Sequence, residues 1–115
     1  MTDPLTASWM RSLRAANRSQ ATRDAYLTDI TRCAVWLTEQ GVTLSAAKRS
    51  DLEGFLAGGL DAGLSPATVA RRYRSMLQFF KWADEEGELD GPNPMVKMQP
   101  PNVVVKPPPV ISADD

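Results

Sequence analysis

Apolar residues recur along the chain at intervals of three and four positions, and this spacing predicts amphipathic helices. With their capping residues, four helices are predicted over residues 5–16, 19–40, 50–62 and 65–87. The fold class predicted is all-α, a compact bundle of these four main helices. The positions predicted for the core are Leu5, Trp9, Leu13 and Ala16 in the first helix, Tyr26, Ile30, Cys33, Ala34 and Leu37 in the second, and Val69, Tyr73, Met76, Leu77, Phe80 and Ala83 in the fourth.

Small polar residues and glycines mark the ends of the second and fourth helices. Ser19 and Ser65 stand at N-cap positions, where a side-chain oxygen can accept a hydrogen bond from the backbone of the first turn. Pro66 follows at the first helical position, where its missing N–H costs nothing. Gly41 and Gly87 follow the last apolar positions and are typical of C-terminal stops. Both ends of these two helices are therefore predicted.

The third helix has a clear beginning and a weak interior. Ser50 and Glu53 have the serine-to-glutamate spacing of a capping box, which predicts Ser50 as the N-cap. The Gly58-Gly59 pair weakens the interior, since glycine costs about 1 kcal/mol in a helix relative to alanine. The helix is nevertheless predicted to continue to about Ala62.

The chain changes character after Gly91. Seven of its nine prolines lie beyond this point, and proline removes a backbone donor and blocks helix. Residues 1–91 are therefore predicted as one helical domain, and residues 92–115 as an extended, poorly packed linker. Ser112 and the acidic residues after it are typical of the first turn of another helix. The linker is expected to lead to a further domain that these 115 residues do not include.

Charge is distributed unevenly along a nearly neutral chain. The formal net charge is -1 at pH 7, which argues mildly against a dedicated nucleic-acid module. Five carboxylates between Asp84 and Asp90 form one acidic cluster, however, and the rest of the chain is net positive without them. The overall charge therefore does not exclude a local cationic surface.

The cysteine count and the hydropathy pattern bear on the compartment. A single cysteine allows no intramolecular disulfide and indicates a reducing environment. No apolar run approaches the roughly 20 residues that a membrane span needs, and the N-terminus lacks a signal-peptide pattern. A cytoplasmic protein is expected.

No constellation of residues typical of catalysis or metal binding is present in the sequence. The chain has no histidine, which removes the commonest general base and metal ligand. Cys33 falls on an apolar helical face, where a buried structural thiol is favoured over a nucleophile. The carboxylates of 84–86 are expected to be solvated, and Tyr26 and Tyr73 to pack in the core. No cofactor or metal is expected.

Arginines are concentrated near the beginnings of the second and fourth helices. Arg71 and Arg74 lie opposite the predicted core face, so they are expected to be exposed, with Arg72 flanking them. Truncation of Arg71 is then predicted to change stability by about 0.5 kcal/mol or less. Helix beginnings carry free N–H groups and partial positive charge, which suit phosphate oxygens. Placed side by side, the two beginnings would form a surface able to grip DNA. The alternative is a solvated face whose arginines serve helix propensity alone.

The order and spacing of these residues resemble the core-binding domain of tyrosine recombinases and phage integrases. The segments that carry the resemblance are Ser19-x-x-Thr22-x-x-x-Tyr26-x-x-Asp29-Ile30, Trp36-Leu37, Ser65-x-x-Thr68, Arg71-Arg72, Met76-Leu77-x-Phe79-Phe80-Lys81-Trp82-Ala83, Gly87 and Asn93-Pro94. The resemblance implies a SAM-like helical domain that forms one half of a clamp around duplex DNA. It also implies a separate catalytic domain, so this chain alone is expected to be no enzyme although its parent protein cleaves DNA.

The function predicted is sequence-specific binding of duplex DNA at a core recombination site, with sister protomers as further partners on DNA. A helical protein–protein interaction module without a DNA role is the alternative, and a phage integrase is not distinguished from a chromosomal recombinase. The residues predicted to contact DNA are Ser19, Gln20, Thr22, Arg23, Ser65, Thr68, Arg71, Arg72, Arg74 and Ser75, with Lys97 and Lys106 following the backbone from the linker.

Overall fold

The computed structural model describes residues 3–102 and contains four α-helices, α1 (Pro4–Ala15), α2 (Gln20–Glu39), α3 (Arg49–Asp61) and α4 (Pro66–Glu85). A 3-10 turn, Leu44–Ala46, lies between α2 and α3. Residues 3–102 contain no strand, so the all-α class and the four-helix bundle are confirmed.

The two longest helices begin with the same local structure. Ser19 precedes α2, and its Oγ accepts a hydrogen bond from the N–H of Thr22 at 3.1 Å. Ser65 precedes α4, and its Oγ accepts from the N–H of Thr68, also at 3.1 Å. Each serine satisfies one of the backbone donors that a helix start leaves free. Both predicted N-caps are confirmed.

Residues in left-handed backbone conformations follow the ends of all four helices, including Gly63 after α3 with a φ of 98°. Gly41 after α2 has a φ of 78°, and Gly87 after α4 has a φ of 70°. Both are the predicted stops, since glycine adopts this conformation without steric cost. Asn17 takes the same role between α1 and α2 with a φ of 57°, which is a conformation that asparagine tolerates.

The beginning of α3 differs from the prediction. The N-cap is Lys48, so the assignment of Ser50 is wrong by two residues. The Oδ2 atom of Asp51 accepts the backbone N–H of Lys48 at 2.9 Å, and this bond fixes the start. The acidic half of a capping box therefore acts here without a serine partner. The glycine pair is accommodated: a Cβ on Gly59 would lie only 3.1 Å from the Leu64 side chain, so Leu64 packs closely against the bare Cα of Gly59.

Aromatic side chains from three helices form the centre of the core. Trp9 of α1 is 2% exposed and stacks on Tyr26 of α2 with 5.1 Å between ring centroids. Its edge meets Phe79 of α4 at 5.3 Å, and Phe79 packs in turn on Phe80 at 5.0 Å. Among the predicted core positions, Ala16 is exposed, and Leu5, Tyr26, Ala34 and Leu77 are only partly buried. The core therefore lies mainly between α1, α2 and α4, with α3 closing one side.

The segment after α4 packs against the helices. Met95 is 2% exposed and Met98 is 7% exposed, and both belong to the core cluster. A local turn holds them, in which the Asn93 side chain accepts the N–H of Met95 at 2.9 Å. The prediction that the chain is poorly packed from Pro92 is therefore wrong for residues 93–98. The rest of the predicted linker, from Val103 onward, lies outside the described residues.

Replacement of Met95 by alanine tests this packing. Met95→Ala is expected to lower the free energy of unfolding by about 2–5 kcal/mol, because it leaves a cavity against the helices. The matched control is Val96→Ala, which changes a side chain that is 75% exposed and is expected to alter stability by less than about 0.5 kcal/mol. Urea denaturation of both variants measures the difference. Equal stabilities would contradict the packed segment.

Candidate nucleic-acid interface

Helices α2 and α4 run in opposite directions where they cross. Asp29, in the middle of α2, contacts Arg71 in the first half of α4. Arg18, just before α2, lines the same cavity of about 180 Å³ as Lys81 and Glu85, in the last turns of α4. The 20 residues of α4 span about 30 Å. The two helix beginnings therefore lie toward opposite ends of the pair, so the side-by-side arrangement considered for them from the sequence is not formed.

A buried carboxylate joins the two helices. Asp29 is completely inaccessible to solvent, and each of its carboxylate oxygens has a partner on α4. Its Oδ1 accepts from Nη2 of Arg71 at 2.8 Å, and its Oδ2 accepts from Oγ of Ser75 at 2.7 Å. A buried charge is costly unless it is paired and hydrogen-bonded, and here both conditions are met.

Ser75 lies inside the protein and not on the DNA-facing side predicted for it. It is 2% exposed, and its hydroxyl donates to Asp29. The 3.6-residue period predicted Ser75 on the face opposite the core, together with Arg71 and Arg74, whereas in the structure Ser75 faces α2. A signal was available in the sequence: Asp29 falls between Tyr26 and Cys33 on the core face of α2. A carboxylate in that position requires a polar partner across the interface.

Arg72 also departs from its predicted exposed position. It is 9% exposed, and its Cζ lies 5.8 Å from the centre of the Phe55 ring in α3. Burial, together with the neighbouring Arg32, lowers the pKa of Arg72, although an arginine remains charged under ordinary conditions. Its Nε is buried without a hydrogen-bond partner. Arg72 therefore packs α4 against α3 and offers little surface to a ligand.

Four polar side chains form an exposed stripe along α4, at spacings of three, four and three residues. They lie on one side of the helix because of this spacing. The stripe consists of Arg71, Arg74, Gln78 and Lys81. The Arg71 side chain is 50% exposed despite its ion pair, and the other three side chains are exposed. Gln78 and Lys81 were not among the predicted contacts, although the continuing spacing from Arg71 would have found them.

The hydroxyl groups at the two helix beginnings are used internally. The hydroxyl of Ser19 donates to Oγ1 of Thr22 at 2.9 Å, in addition to capping α2. Ser65 and Thr68 repeat this contact at 3.0 Å. The hydroxyl of each serine therefore both accepts and donates a hydrogen bond within its own helix start. Of the four hydroxyl groups, only those of Thr22 and Thr68 keep a proton that could be donated to a ligand.

The first turn of α2 carries a small polar network. Gln20 donates from Nε2 to Asp24 at 3.1 Å, and Arg23 donates to the backbone carbonyl of Arg18 at 3.3 Å. These bonds lie at the protein surface. Arg18 lines one cavity with Gln78 and Lys81, so Gln20 and Arg23 lie toward the Lys81 end of the α4 stripe and not beside Arg71. Among the linker positions, Lys97 is exposed and Lys106 lies outside the described residues.

Residues 3–102 show no arrangement typical of a metal site or a reactive thiol. Within this range, no three histidine, cysteine, aspartate or glutamate side chains cluster as metal ligands would. Cys33 is buried, and burial raises the pKa of its thiol to about 12. The thiol is therefore protonated at neutral pH, and a protonated thiol is a poor nucleophile.

No described helix is both long and apolar enough to cross a membrane.

Comparison with known proteins gives the family. The model of the phage integrase N-terminal SAM-like domain matches residues 7–87, which include α2, α3 and α4. The chain belongs to this family. The resemblance drawn from the segments of the second and fourth helices is thereby confirmed.

Curated relatives agree with this assignment. The tyrosine recombinase XerC of Mycobacterium tuberculosis (strain ATCC 25177 / H37Ra) is 37% identical over 84 residues, which are 73% of this chain and 28% of that protein. XerC of Mycobacterium leprae is 32% identical over 97 residues, covering 84% of this chain and 32% of the relative. XerD of Listeria monocytogenes is 30% identical over 79 residues, which are 69% of this chain and 26% of that protein. The chain thus spans between a quarter and a third of the length of these relatives. No solved structure gives a significant match.

The ion pair changes what is expected of Arg71→Ala. This variant leaves the buried Asp29 carboxylate with Ser75 as its one remaining partner. We expect it to lower the free energy of unfolding by about 1–3 kcal/mol, less than for a fully buried pair because Arg71 is half exposed. Arg74→Ala, one turn along the same stripe, is the control and is expected to change stability by less than about 0.5 kcal/mol. Thermal and urea unfolding measure both. A neutral Arg71→Ala would show that the ion pair contributes little.

Proposed function

We propose that this chain binds duplex DNA sequence-specifically at a core recombination site, as the N-terminal part of a tyrosine recombinase that carries out site-specific recombination and integration. The observation that carries the proposal is the α4 stripe, in which Arg71 is held by a buried carboxylate and yet half exposed. Family membership and the recombinase relatives support the same function.

The residue types of the stripe suit a DNA ligand. Arginine donates to phosphate oxygens and pairs with guanine through two hydrogen bonds, and glutamine pairs with adenine in a similar way. Lys81 adds a point charge suited to phosphate. The stripe therefore combines groups that read bases with groups that hold the backbone.

The dimensions of the stripe also suit the major groove. Arg71 and Lys81 are ten residues apart, which corresponds to about 15 Å along α4. The major groove is about 12 Å wide and admits an α-helix. A helix lying in the groove would place its charged stripe against four or five base pairs, at about 3.4 Å per base pair.

The low net charge is compatible with this function. The carboxylates at 84–86 begin three residues beyond Lys81, at the end of α4. Asp29, the carboxylate nearest to Arg71, is buried and neutralised by its ion pair. The exposed stripe itself contains no acidic residue. Phosphates that approach Arg71 and Arg74 therefore meet positive charge, and the acidic residues lie more than two turns further along α4.

The salt dependence of binding tests the proposed function. Fluorescence anisotropy with a labelled duplex is expected to show an affinity that falls steeply as salt rises, because binding to phosphates releases counterions. Arg74→Ala is expected to weaken binding and to reduce the slope of log K against log salt by about 1 if Arg74 touches a phosphate. Arg11→Ala, an exposed arginine of α1, is the matched control and is expected to leave binding nearly unchanged. If no salt-dependent binding to the duplex is found, the alternative of a protein–protein interaction module is favoured.

We also propose that this chain alone cleaves no DNA, because the catalytic residues belong to another part of the parent recombinase. Its two tyrosines are poor candidates for a nucleophile: Tyr73 is 7% exposed, and Tyr26 is stacked on Trp9. Incubation with a pool of nicked random-sequence duplexes, followed by denaturing electrophoresis, is expected to yield no covalent protein–DNA adduct. An adduct that disappears in Tyr26→Phe or Tyr73→Phe would refute this part of the proposal.

A further inference from the structure

Asp29 stands out because it touches the candidate interface without reaching the surface. It is inaccessible to solvent, and its partner Arg71 is half exposed. The pair is the only salt bridge in residues 3–102, so the other cations of the stripe have no carboxylate of this kind behind them. One arginine of the α4 stripe is thus held by a buried carboxylate, while its neighbours on the stripe have no salt bridge within residues 3–102.

We propose that Asp29 is a positioning residue, which holds the Arg71 guanidinium in the orientation that reads a base and so sets the sequence discrimination of the domain. This inference rests on the proposed DNA-binding function. Asp29 itself does not touch DNA. Its effect is transmitted entirely through Arg71.

The chemistry of the guanidinium group supports this role. Arginine is a long side chain that loses much rotamer freedom when it is held in one geometry. The contact with Asp29 uses Nη2, and the planar guanidinium carries further donors on its other nitrogens. A guanidinium held by a buried acceptor presents these donors in a fixed plane. Reading a base through two hydrogen bonds requires such a fixed plane, whereas a phosphate contact tolerates a mobile charge.

Ser75 helps to hold the carboxylate in place. Ser75 and Arg71 are four residues apart on α4, so both reach the same carboxylate from one side of that helix. Arg74 makes a natural contrast, since it lies on the same stripe with no salt bridge within the described part of the chain. The structure therefore offers one anchored arginine and one unanchored arginine a turn apart.

The effect of Asp29→Asn separates positioning from two simpler explanations. The substitution removes one negative charge, so electrostatics alone would tighten binding to every duplex. Loss of folded protein would weaken binding to every duplex by the same factor. A positioning role predicts neither outcome. It predicts a loss of preference for the cognate sequence, with little loss of affinity for other sequences.

The experiment compares two duplexes. The first is selected by the wild-type chain from a random-sequence pool, and the second is a shuffled duplex of the same length and composition. Asp29→Asn is expected to reduce the ratio of the affinity for the selected duplex to that for the shuffled duplex by about tenfold or more. This is the discrimination expected from one arginine that reads a base. Its affinity for the shuffled duplex is expected to stay the same or to rise. Circular dichroism at the assay temperature confirms that each variant is folded.

Two further variants complete the design. Ser75→Ala keeps the Asp29 charge and the Arg71 contact, so it is expected to retain most of the discrimination. Arg71→Ala is expected to lose the discrimination, and adding Asp29→Asn to it is expected to cause no further loss. The double variant also removes the carboxylate that Arg71→Ala leaves without its cation, which favours a folded protein.

The outcomes that overturn the inference are distinct from failure of the proposed function. Unchanged discrimination in Asp29→Asn, or a parallel loss of both affinities, refutes the positioning role. A further loss of discrimination when Asp29→Asn is added to Arg71→Ala also refutes it. If the wild-type chain binds duplex DNA but selects no sequence, the inference fails while DNA binding stands. If no salt-dependent binding is found with any duplex, the proposed function fails and the inference fails with it.

Discussion

The buried carboxylate of Asp29 constrains how the two longest helices meet. Its two oxygens require donors, and α4 supplies both from side chains one turn apart. Sliding or rotating α4 on α2 would separate those donors from the carboxylate and leave an unpaired charge in the core, a far larger penalty than the loss of an apolar contact. Apolar side chains such as Ile30 and Met76 tolerate several packings, but the polar contact allows one. We therefore regard Asp29 as the residue that fixes the register of α2 on α4, which determines the surface that the pair presents.

The three arginines near the start of α4 have different environments because the helix turns by about 100° per residue. Arg71 reaches α2 and is tied to the carboxylate, Arg72 lies over Phe55 of α3, and Arg74 is exposed. Of these three arginines, only Arg72 is largely buried. The concentration of arginine in the sequence thus serves packing, interhelical pairing and a charged surface together, and a count of basic residues would overstate the surface charge by one. A nearly neutral chain can still present a cationic stripe, because Asp29 is buried beneath Arg71 and the acidic cluster begins at the end of α4.

Most local features of this fold could be read from the sequence, with the start of α3 as the exception, whereas the partners of the long-range polar contacts could not. Capping serines and terminal glycines act within one helix turn, so Ser19, Ser65, Gly41 and Gly87 were predicted correctly. The contact between Ser75 and Asp29 joins positions 46 residues apart, and no periodicity in one helix shows it. The helical period assigned Ser75 and Arg72 to the outside of α4, whereas the structure buries both. The same limit applies to the candidate interface: the helical spacing identifies Arg71 and Arg74 as neighbours, but only the antiparallel crossing shows that the start of α2 lies toward the Lys81 end of the stripe.

Proline content misled the prediction for the segment after α4 for a different physical reason. Proline removes a hydrogen-bond donor and prevents helix, but it does not prevent its neighbours from entering a core. Asn93 supplies a side-chain acceptor for the turn, and Met95 and Met98 fill space between the helices with flexible, unbranched side chains. Irregular backbone can pack in this way because methionine adapts to gaps that a branched side chain would not fit. The core consequently extends seven residues beyond Gly91, and the chain leaves it after Met98. The path from the α2–α4 pair toward any following segment therefore starts at a point that is held by the core.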